Sequence, residues 1–187
     1  MEHLQKINDY YELLKETCDK IDRCEIERAI HELLRARDEG NFIYIMGNGG
    51  SATTATHFAG DFVKGLSYCR EKRYKFICLN DNPAALLALA NDVSYESAFY
   101  EQLRNFLASG DVVIGISGSG NSGNVIKAVE YAKAQGNTVI GLTGYDGGKL
   151  MPLSDIKLHI PVDNMQIVED LHLVFDHLIM SILYKLD

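Results

Sequence analysis

The chain has 187 residues, the size of one domain, and 47% of them are apolar, enough for a sizeable core. A formal net charge of −8, from 26 acidic and 18 basic side chains, without a Lys/Arg-rich stripe, argues against nucleic acid as the main partner. No apolar run reaches the length of a membrane span, and Cys18, Cys24, Cys69 and Cys78 form no CxxC pair.

In chain order, the first stretch, MEHLQKINDYYELLKE, has the pattern of an amphipathic helix and not of a secretory signal. Together with the cysteine usage it predicts reduced thiols and a cytoplasmic protein. Residues 3 to 38 read as two helices broken around Cys18 to Cys24. From there strands and helices alternate, with no linker and no low-complexity segment. Strands are predicted at FIYIM (42–46), KFICL (75–79), VVIGI (112–116), TVIGLT (138–143) and IKLHIP (156–161). Helices are predicted at 51–64, at 83–107 in two pieces, at 122–135, and from about 165 to 186. Such alternation implies parallel βαβ units and one three-layer α/β sandwich over residues 1–187. Its ligand is expected beyond the C-terminal strand ends, at a topological switch point.

Two glycine-rich stretches stand at such strand ends: MGNGGSATTATHF (46–58) and GISGSGNSGNVI (115–126). Each joins a strand to a helix, where free N–H groups and the helix dipole favour an anion. Neither has the lysine of a Walker loop. Gly118, Gly120 and Gly123 do fit GxGxxG, and Gly47, Gly49 and Ala52 fit GxGxxA, which keeps a dinucleotide reading open. However, the full match follows the third strand and lies among Ser117, Ser119 and Ser122. Clustered hydroxyls suit one small tetrahedral anion better than a pyrophosphate held by bare backbone. A pair of tight turns with no ligand is the remaining alternative.

GNGGSA followed by HF, then SGSGNSGNVIKAVEYAKAQG, then LTGYDGGKL, together resemble the sugar isomerase (SIS) domain family, and within it the phosphoheptose isomerases. The resemblance covers nearly the whole chain. It implies a flavodoxin-like parallel sheet, a homotetramer with active sites between subunits, and interconversion of sedoheptulose 7-phosphate and D-glycero-D-manno-heptose 7-phosphate for heptose and surface-polysaccharide synthesis. Residue by residue, it places substrate contacts at Asn48, Gly49, Gly50 and Ser51, at Asn91 and Asp92, and at Ser117, Gly118, Ser119 and Ser122. It places metal and catalytic groups at His57, Asp61, Glu169 and His177, with Asp61 and Glu169 also facing the substrate. Two positions depart from the family pattern: Asp61 stands where a glutamate is usual, and Glu169 where a glutamine is usual.

The residues themselves fit such chemistry. Aldose–ketose isomerisation needs a base near C1 and C2, a group that polarises the carbonyl, and a grip on the distant phosphate. SGSGNSG is the candidate grip, Asp61 the candidate base, and His177 the candidate acid. His57 and Asp61 lie at i, i+4, on one helix face, a spacing also common in simple solvated pairs. Two imidazoles and two carboxylates suit zinc, one ion per site. Glu169 and His177, eight residues apart, would lie about 12 Å apart along a continuous helix. The expectation is therefore a site completed by a partner subunit or by a frayed helix start, with Glu169 as a local cap and His177 as a packed residue the alternative. His172 reads as a satisfied core histidine. Tyr95 and Tyr100 read as packing, and Asp92 alone as a helix N-cap. Two other functions compete: a non-catalytic SIS adaptor that binds a replication initiator protein, and an isomerase of a hexose or pentose phosphate.

Overall fold

The computed structural model describes residues 3–186. Two helices come first, α1 (Leu4–Lys20) and α2 (Arg23–Glu39), separated by Ile21 and by Asp22, whose carboxylate caps α2 by accepting from Cys24 N at 2.9 Å. The alternating part follows as β1 (Phe42–Met46), α3 (Gly50–Gly60), β2 (Lys75–Cys78), α4 (Pro83–Asp92), α5 (Ala98–Phe106), β3 (Val112–Ser117) and α6 (Gly123–Ala134). It ends with β4 (Thr138–Thr143), α7 (Leu150–Leu153), β5 (Ile156–His159) and α8 (Met165–Leu183).

The five strands are all parallel, in the order β2-β1-β3-β4-β5. Successive side chains of a strand point to opposite faces; the central strands β1, β3 and β4 are buried on both faces, whereas the edge strands β2 and β5 alternate buried with more open positions. Ile43 and Ile45 of β1 pack with α2, α3 and α8, whereas Tyr44 and Met46 pack with α5, α6 and α7. The three layers expected from the alternation are thus present.

Differences from the predicted elements have local causes. The helix expected over 51–64 is α-helical only to Gly60 and continues as a π turn over Asp61–Gly65. The last strand stops at His159 because Pro161 cannot donate to the ladder, although Ile160 N still donates to Thr143 O at 2.8 Å. The stretch 83–107 is broken at Val93–Ser94, where Ser94 caps a single 3₁₀ turn (Tyr95–Ser97). Asp92 ends α4 and caps nothing. The four-residue α7, which contains Pro152, was not expected.

α1 is little embedded. Only Thr17 is buried along its length, while Leu4, Ile7 and Tyr11 are exposed. α2 by contrast buries Ile26, Ala29, Ile30, Leu33 and Ala36 against the sheet.

Candidate active site

The sheet order reverses direction between β1 and β3. The first glycine loop leaves β1 and the second leaves β3, so both open into the same crevice, at the point where α/β sheets bind their ligands. That placement explains why the chain carries the arrangement twice: the two loops are the walls of one site.

The loops are tied together by side chains. Asn48 and Asn124 form a reciprocal amide pair: Asn48 Nδ2 donates to Asn124 Oδ1 at 2.8 Å, and Asn124 Nδ2 donates back to Asn48 Oδ1 at 2.9 Å. The Tyr95 hydroxyl donates to the same Asn48 oxygen at 2.7 Å. Asn124 is buried at the start of α6 and also accepts from Val125 N at 3.0 Å. Tyr95 is exposed, so its predicted packing role is incorrect; Tyr100 does pack, edge-on against Tyr131.

In the second loop, Ser117 Oγ and Ser122 Oγ lie 3.0 Å apart, and Ser117 Oγ accepts from Ser122 N at 3.3 Å. Ser122, the N-cap of α6, makes no side-chain cap bond, while Val125 N is taken by Asn124 Oδ1. The N–H groups of Gly123 and Asn124 ahead of it suit an anion, with the helix dipole behind them. Ser119 is exposed at the tip of the loop, with its hydroxyl accepting from Asn121 N at 3.3 Å. Gly118 is buried, and its carbonyl accepts from Gly144 N at 2.8 Å. Gly120 has φ +67, and a Cβ there would collide with the carbonyl oxygen of Gly147. This is the purpose of the LTGYDGGKL stretch: it backs the anion loop so closely that only glycine fits between them.

In the first loop, Gly49 and Gly50 are exposed, and Ser51 is buried in the first turn of α3. Asn91 and Asp92 are exposed at the end of α4, where Asn91 Nδ2 donates to Asp92 Oδ1 at 2.7 Å. No hydrogen bond among the described residues ties that pair to the glycine loops.

α3 carries the second half of the site. His57 and Asp61 project from its last turn, with His57 Nε2 3.6 Å from Asp61 Oδ2. The π turn begins at Asp61 itself, and such widened turns frequently mark functional positions. α8 brings His177 against them, its Nε2 3.1 Å from His57 Nε2. Asp176, which the sequence analysis did not single out, completes the group: His57, Asp61, Asp176 and His177 each offer one ligand atom, and these atoms all lie within 4.8 Å of one another. Asp176 Oδ2 is 3.9 Å from His57 Nε2. Burial, with the charge of Asp61 beside it, pushes the Asp176 carboxyl up to about 7. Both Asp176 oxygens are buried without a hydrogen-bond partner. Two imidazoles, two carboxylates and an orphaned buried oxygen pair are what a divalent cation would satisfy, so the residues present fit a metal.

Within one chain Glu169 is not part of that group. A Cβ at Gly50 would stand 2.5 Å from Glu169 Oε1, so the Glu169 carboxylate lies against the start of α3. Glu169 and Asp176 are seven residues apart on α8, and Gly50 and His57 seven apart on α3. In this stretch the two helices therefore run side by side in one direction, and the two contacts are two turns, about 10.5 Å, apart along them. Glu169 faces the first glycine loop while Asp176 faces His57. His172 is the predicted core histidine: it is 1% exposed, and its Nε2 is 3.2 Å from Thr143 O.

Comparison with known proteins decides the family. The SIS domain model matches residues 7–144. The chain belongs to the SIS domain family. Within this SIS protein's relatives, a phosphoheptose isomerase of Helicobacter pylori is 38% identical over 168 residues, 90% of this chain and 86% of the relative. Another, from Aliarcobacter butzleri, is 36% identical over 181 residues, covering 97% and 91%. Among solved structures, the phosphoheptose isomerase of Francisella tularensis superposes with a TM-score of 0.90 at 29% identity, covering 99% of this chain and all of that one. That of Neisseria gonorrhoeae gives 0.87 at 30% identity, covering 96% and 97%. The SIS protein described here is a member of the phosphoheptose isomerase branch, and the fold and the resemblance read from its sequence stand.

Proposed function

We propose that the protein interconverts sedoheptulose 7-phosphate and D-glycero-D-manno-heptose 7-phosphate through an enediol, in the cytoplasm, feeding heptose synthesis for surface polysaccharide. The observation that carries this reading is the pairing, in one chain, of an anion-shaped serine–glycine loop with a carboxylate–imidazole cluster.

The C7 phosphate binds at Ser117–Ser122, held by the serine hydroxyls and the N–H groups at the start of α6. Asn48, Gly49, Gly50, Ser51, Asn91, Asp92 and Glu169 line the path of the sugar. With the phosphate fixed, the reacting end is held at the α3–α8 cluster, and a bimolecular encounter becomes an intramolecular step. From the ketose, the Asp61 carboxylate removes a proton from C1. The C1–H electron pair forms the C1–C2 double bond, and His177 donates a proton to O2. Asp61 then returns a proton to C2, and the O1 proton leaves to His177 as the C1 carbonyl forms. Atoms and charge balance, and each group ends as it began.

Zinc is the cation best matched to the donors His57, Asp61 and His177; when bound it would occupy His177 Nε2 and supply a Lewis acid for the carbonyl and enediol oxygens in place of that imidazole's proton. His57 contributes by holding its Nε2 toward the cluster.

The functional unit in this reading is a homotetramer. Val174, Leu178 and Ile182 form an exposed apolar stripe on α8 at i, i+4, i+8. Beside it, Ile26, Ile30, Leu34, Leu178, Ile182 and Leu186 line a groove of about 530 Å³. Apolar surface of this kind marks association.

The test is a screen of phosphorylated ketoses of five, six and seven carbons. Turnover of sedoheptulose 7-phosphate far above the others is expected. Turnover of none contradicts an enzyme and favours an adaptor; preference for a shorter chain contradicts the heptose assignment.

A further inference from the structure

We propose that Glu96 is a specificity residue of the sugar-phosphate site, its carboxylate accepting the hydroxyl on the carbon next to the phosphate ester, C6 of a heptose 7-phosphate. This rests on the reading that the second glycine loop holds the phosphate.

The 3₁₀ turn Tyr95–Ser97 reaches both glycine loops with consecutive side chains. The Tyr95 hydroxyl is 2.7 Å from Asn48 Oδ1 in the first. Glu96 lies over the start of the helix that leaves the second: a Cβ at Gly123 would stand 3.5 Å from Glu96 Cγ and 3.8 Å from Glu96 Oε1. Gly123 is the first residue of α6, so this carboxylate sits beside the N–H groups that suit the phosphate. The turn behind the two side chains is pinned. Ser97 is buried, and its Oγ accepts from Lys127 Nζ at 2.9 Å and from Ser94 Oγ at 2.8 Å. Ser97 N donates to Ser94 Oγ at 3.1 Å, and Lys127 Nζ also lies over the Tyr100 ring, 5.2 Å from its centroid. The nearby cation is thus engaged with Ser97 and Tyr100. Glu96 itself is exposed, and among the described residues it has no hydrogen-bond or ion-pair partner.

A free carboxylate beside a phosphate site is a like charge next to a like charge. A dianionic phosphate ester has no donor of its own, so the two anions are reconciled only by a donor placed between them. Along the substrate, the first donor after the phosphate is the hydroxyl on the adjacent carbon. Accepting it gives Glu96 a charge-assisted hydrogen bond. For inorganic phosphate, or a phosphate on a bare alkyl chain, Glu96 is only a repulsive neighbour. A site that hydrogen-bonds a substrate hydroxyl rejects the analogue without it, because its polar group is then left unpaired. The selection is for that hydroxyl and not for chain length. A carboxylate that merely complemented the dipole of α6 would disfavour every phosphate alike.

The experiment titrates the full chain with inorganic phosphate, n-propyl phosphate and each enantiomer of 2-hydroxypropyl phosphate, with binding followed by phosphorus NMR. The last two ligand types differ only in the hydroxyl next to the ester. In the wild type, one enantiomer should bind at least about 10-fold more tightly than n-propyl phosphate. Glu96→Gln keeps the shape of the side chain and removes its charge; the preference should fall to about 3-fold or less, and Glu96→Ala should abolish it. Inorganic phosphate and n-propyl phosphate should bind both variants as tightly as the wild type or more tightly, because a like charge has gone. No preference for the hydroxyl in the wild type, or a substitution that changes all the ligands by the same factor, overturns the role of Glu96 and leaves the phosphate loop standing. No phosphate binding by the wild type, or binding that is unchanged in Ser119→Ala with Ser122→Ala, overturns the phosphate-loop reading and this inference with it.

Discussion

Asn124→Ala isolates the link between the two glycine loops. The side chain makes three hydrogen bonds, two with Asn48 at 2.8 and 2.9 Å and one from Val125 N at 3.0 Å. At about 1 kcal/mol net for each, the substitution should cost about 3 kcal/mol of stability, seen as a lower urea midpoint at unchanged m. Its effect on the reaction is separate. Asn48 keeps the bond from Tyr95 to its Oδ1 but loses the partner that orients its amide. A sugar contact with that amide then needs a reorientation worth about 1.4–2.7 kcal/mol, a 10- to 100-fold fall in kcat/KM. Tyr95→Phe removes one exposed bond and should lower kcat/KM about 5-fold, with the midpoint nearly unmoved. Because both residues act through Asn48, the double variant should lose less than the sum of the two. Steady-state kinetics on sedoheptulose 7-phosphate and urea melts of all four proteins decide the matter. If Asn124→Ala lowers stability but leaves kcat/KM within about 2-fold of wild type, the amide pair is a packing device and Asn48 is not positioned for substrate.

Three further outcomes follow from the same geometry. Ser119→Ala with Ser122→Ala should raise KM sharply and leave the fold intact, each lost bond to a charged phosphate costing about 1.5–3 kcal/mol; wild-type KM in the double variant would mean the loop holds something else. Asp61→Asn should reduce kcat by about 10²–10⁴-fold with little change in circular dichroism, and turnover near wild type would remove Asp61 as the base. Burial pushes the His172 imidazole down to about 4, so the fold holds the neutral ring while the unfolded chain takes up a proton below about 6.5. The stability it contributes is complete above that value and is lost as the pH falls toward 4; between pH 7 and 5 the loss is about 2 kcal/mol. Stability from urea melts at the two pH values should fall by about that much more in the wild type than in His172→Gln, since the raised Asp176 carboxyl adds an opposite change common to both; an equal change in the two proteins would refute the assignment.

The fold was legible because the central strands β1, β3 and β4 are mostly apolar runs, and because helical patterns separate one strand from the next. The boundaries that differed depend on tertiary context. Asp61 opens a π turn that no propensity announces, and Ile160 continues a ladder that Pro161 then cannot extend. The two glycine loops could be read as anion sites from their residues alone, but that they line one crevice follows only from β1 and β3 being neighbours. The helix register that separates Glu169 from His177 was legible in the sequence, and the chain places Glu169 against Gly50. The signal for Asp176 was present in the sequence: an aspartate at a core-facing position of an apolar helix, next to His177. Asn124 and Tyr95 gave no such signal, since an asparagine after SGNSG and a lone tyrosine are ordinary in loops and on surfaces; only their convergence on Asn48 makes them functional candidates.

The central claim is that Asp61 transfers a proton between adjacent carbons of a seven-carbon sugar phosphate. Incubation of sedoheptulose 7-phosphate with the protein in D₂O, followed by proton and carbon NMR, tests it directly. Asp61 is partly open to solvent, with a side-chain exposure of 27%, so its proton exchanges between abstraction and return. The account predicts D-glycero-D-manno-heptose 7-phosphate carrying deuterium at C2, with Asp61→Asn forming neither product nor exchanged substrate at a comparable rate. Absence of the aldose, or aldose that retains the substrate's C1 hydrogen in full as a hydride shift would deliver it, would contradict it.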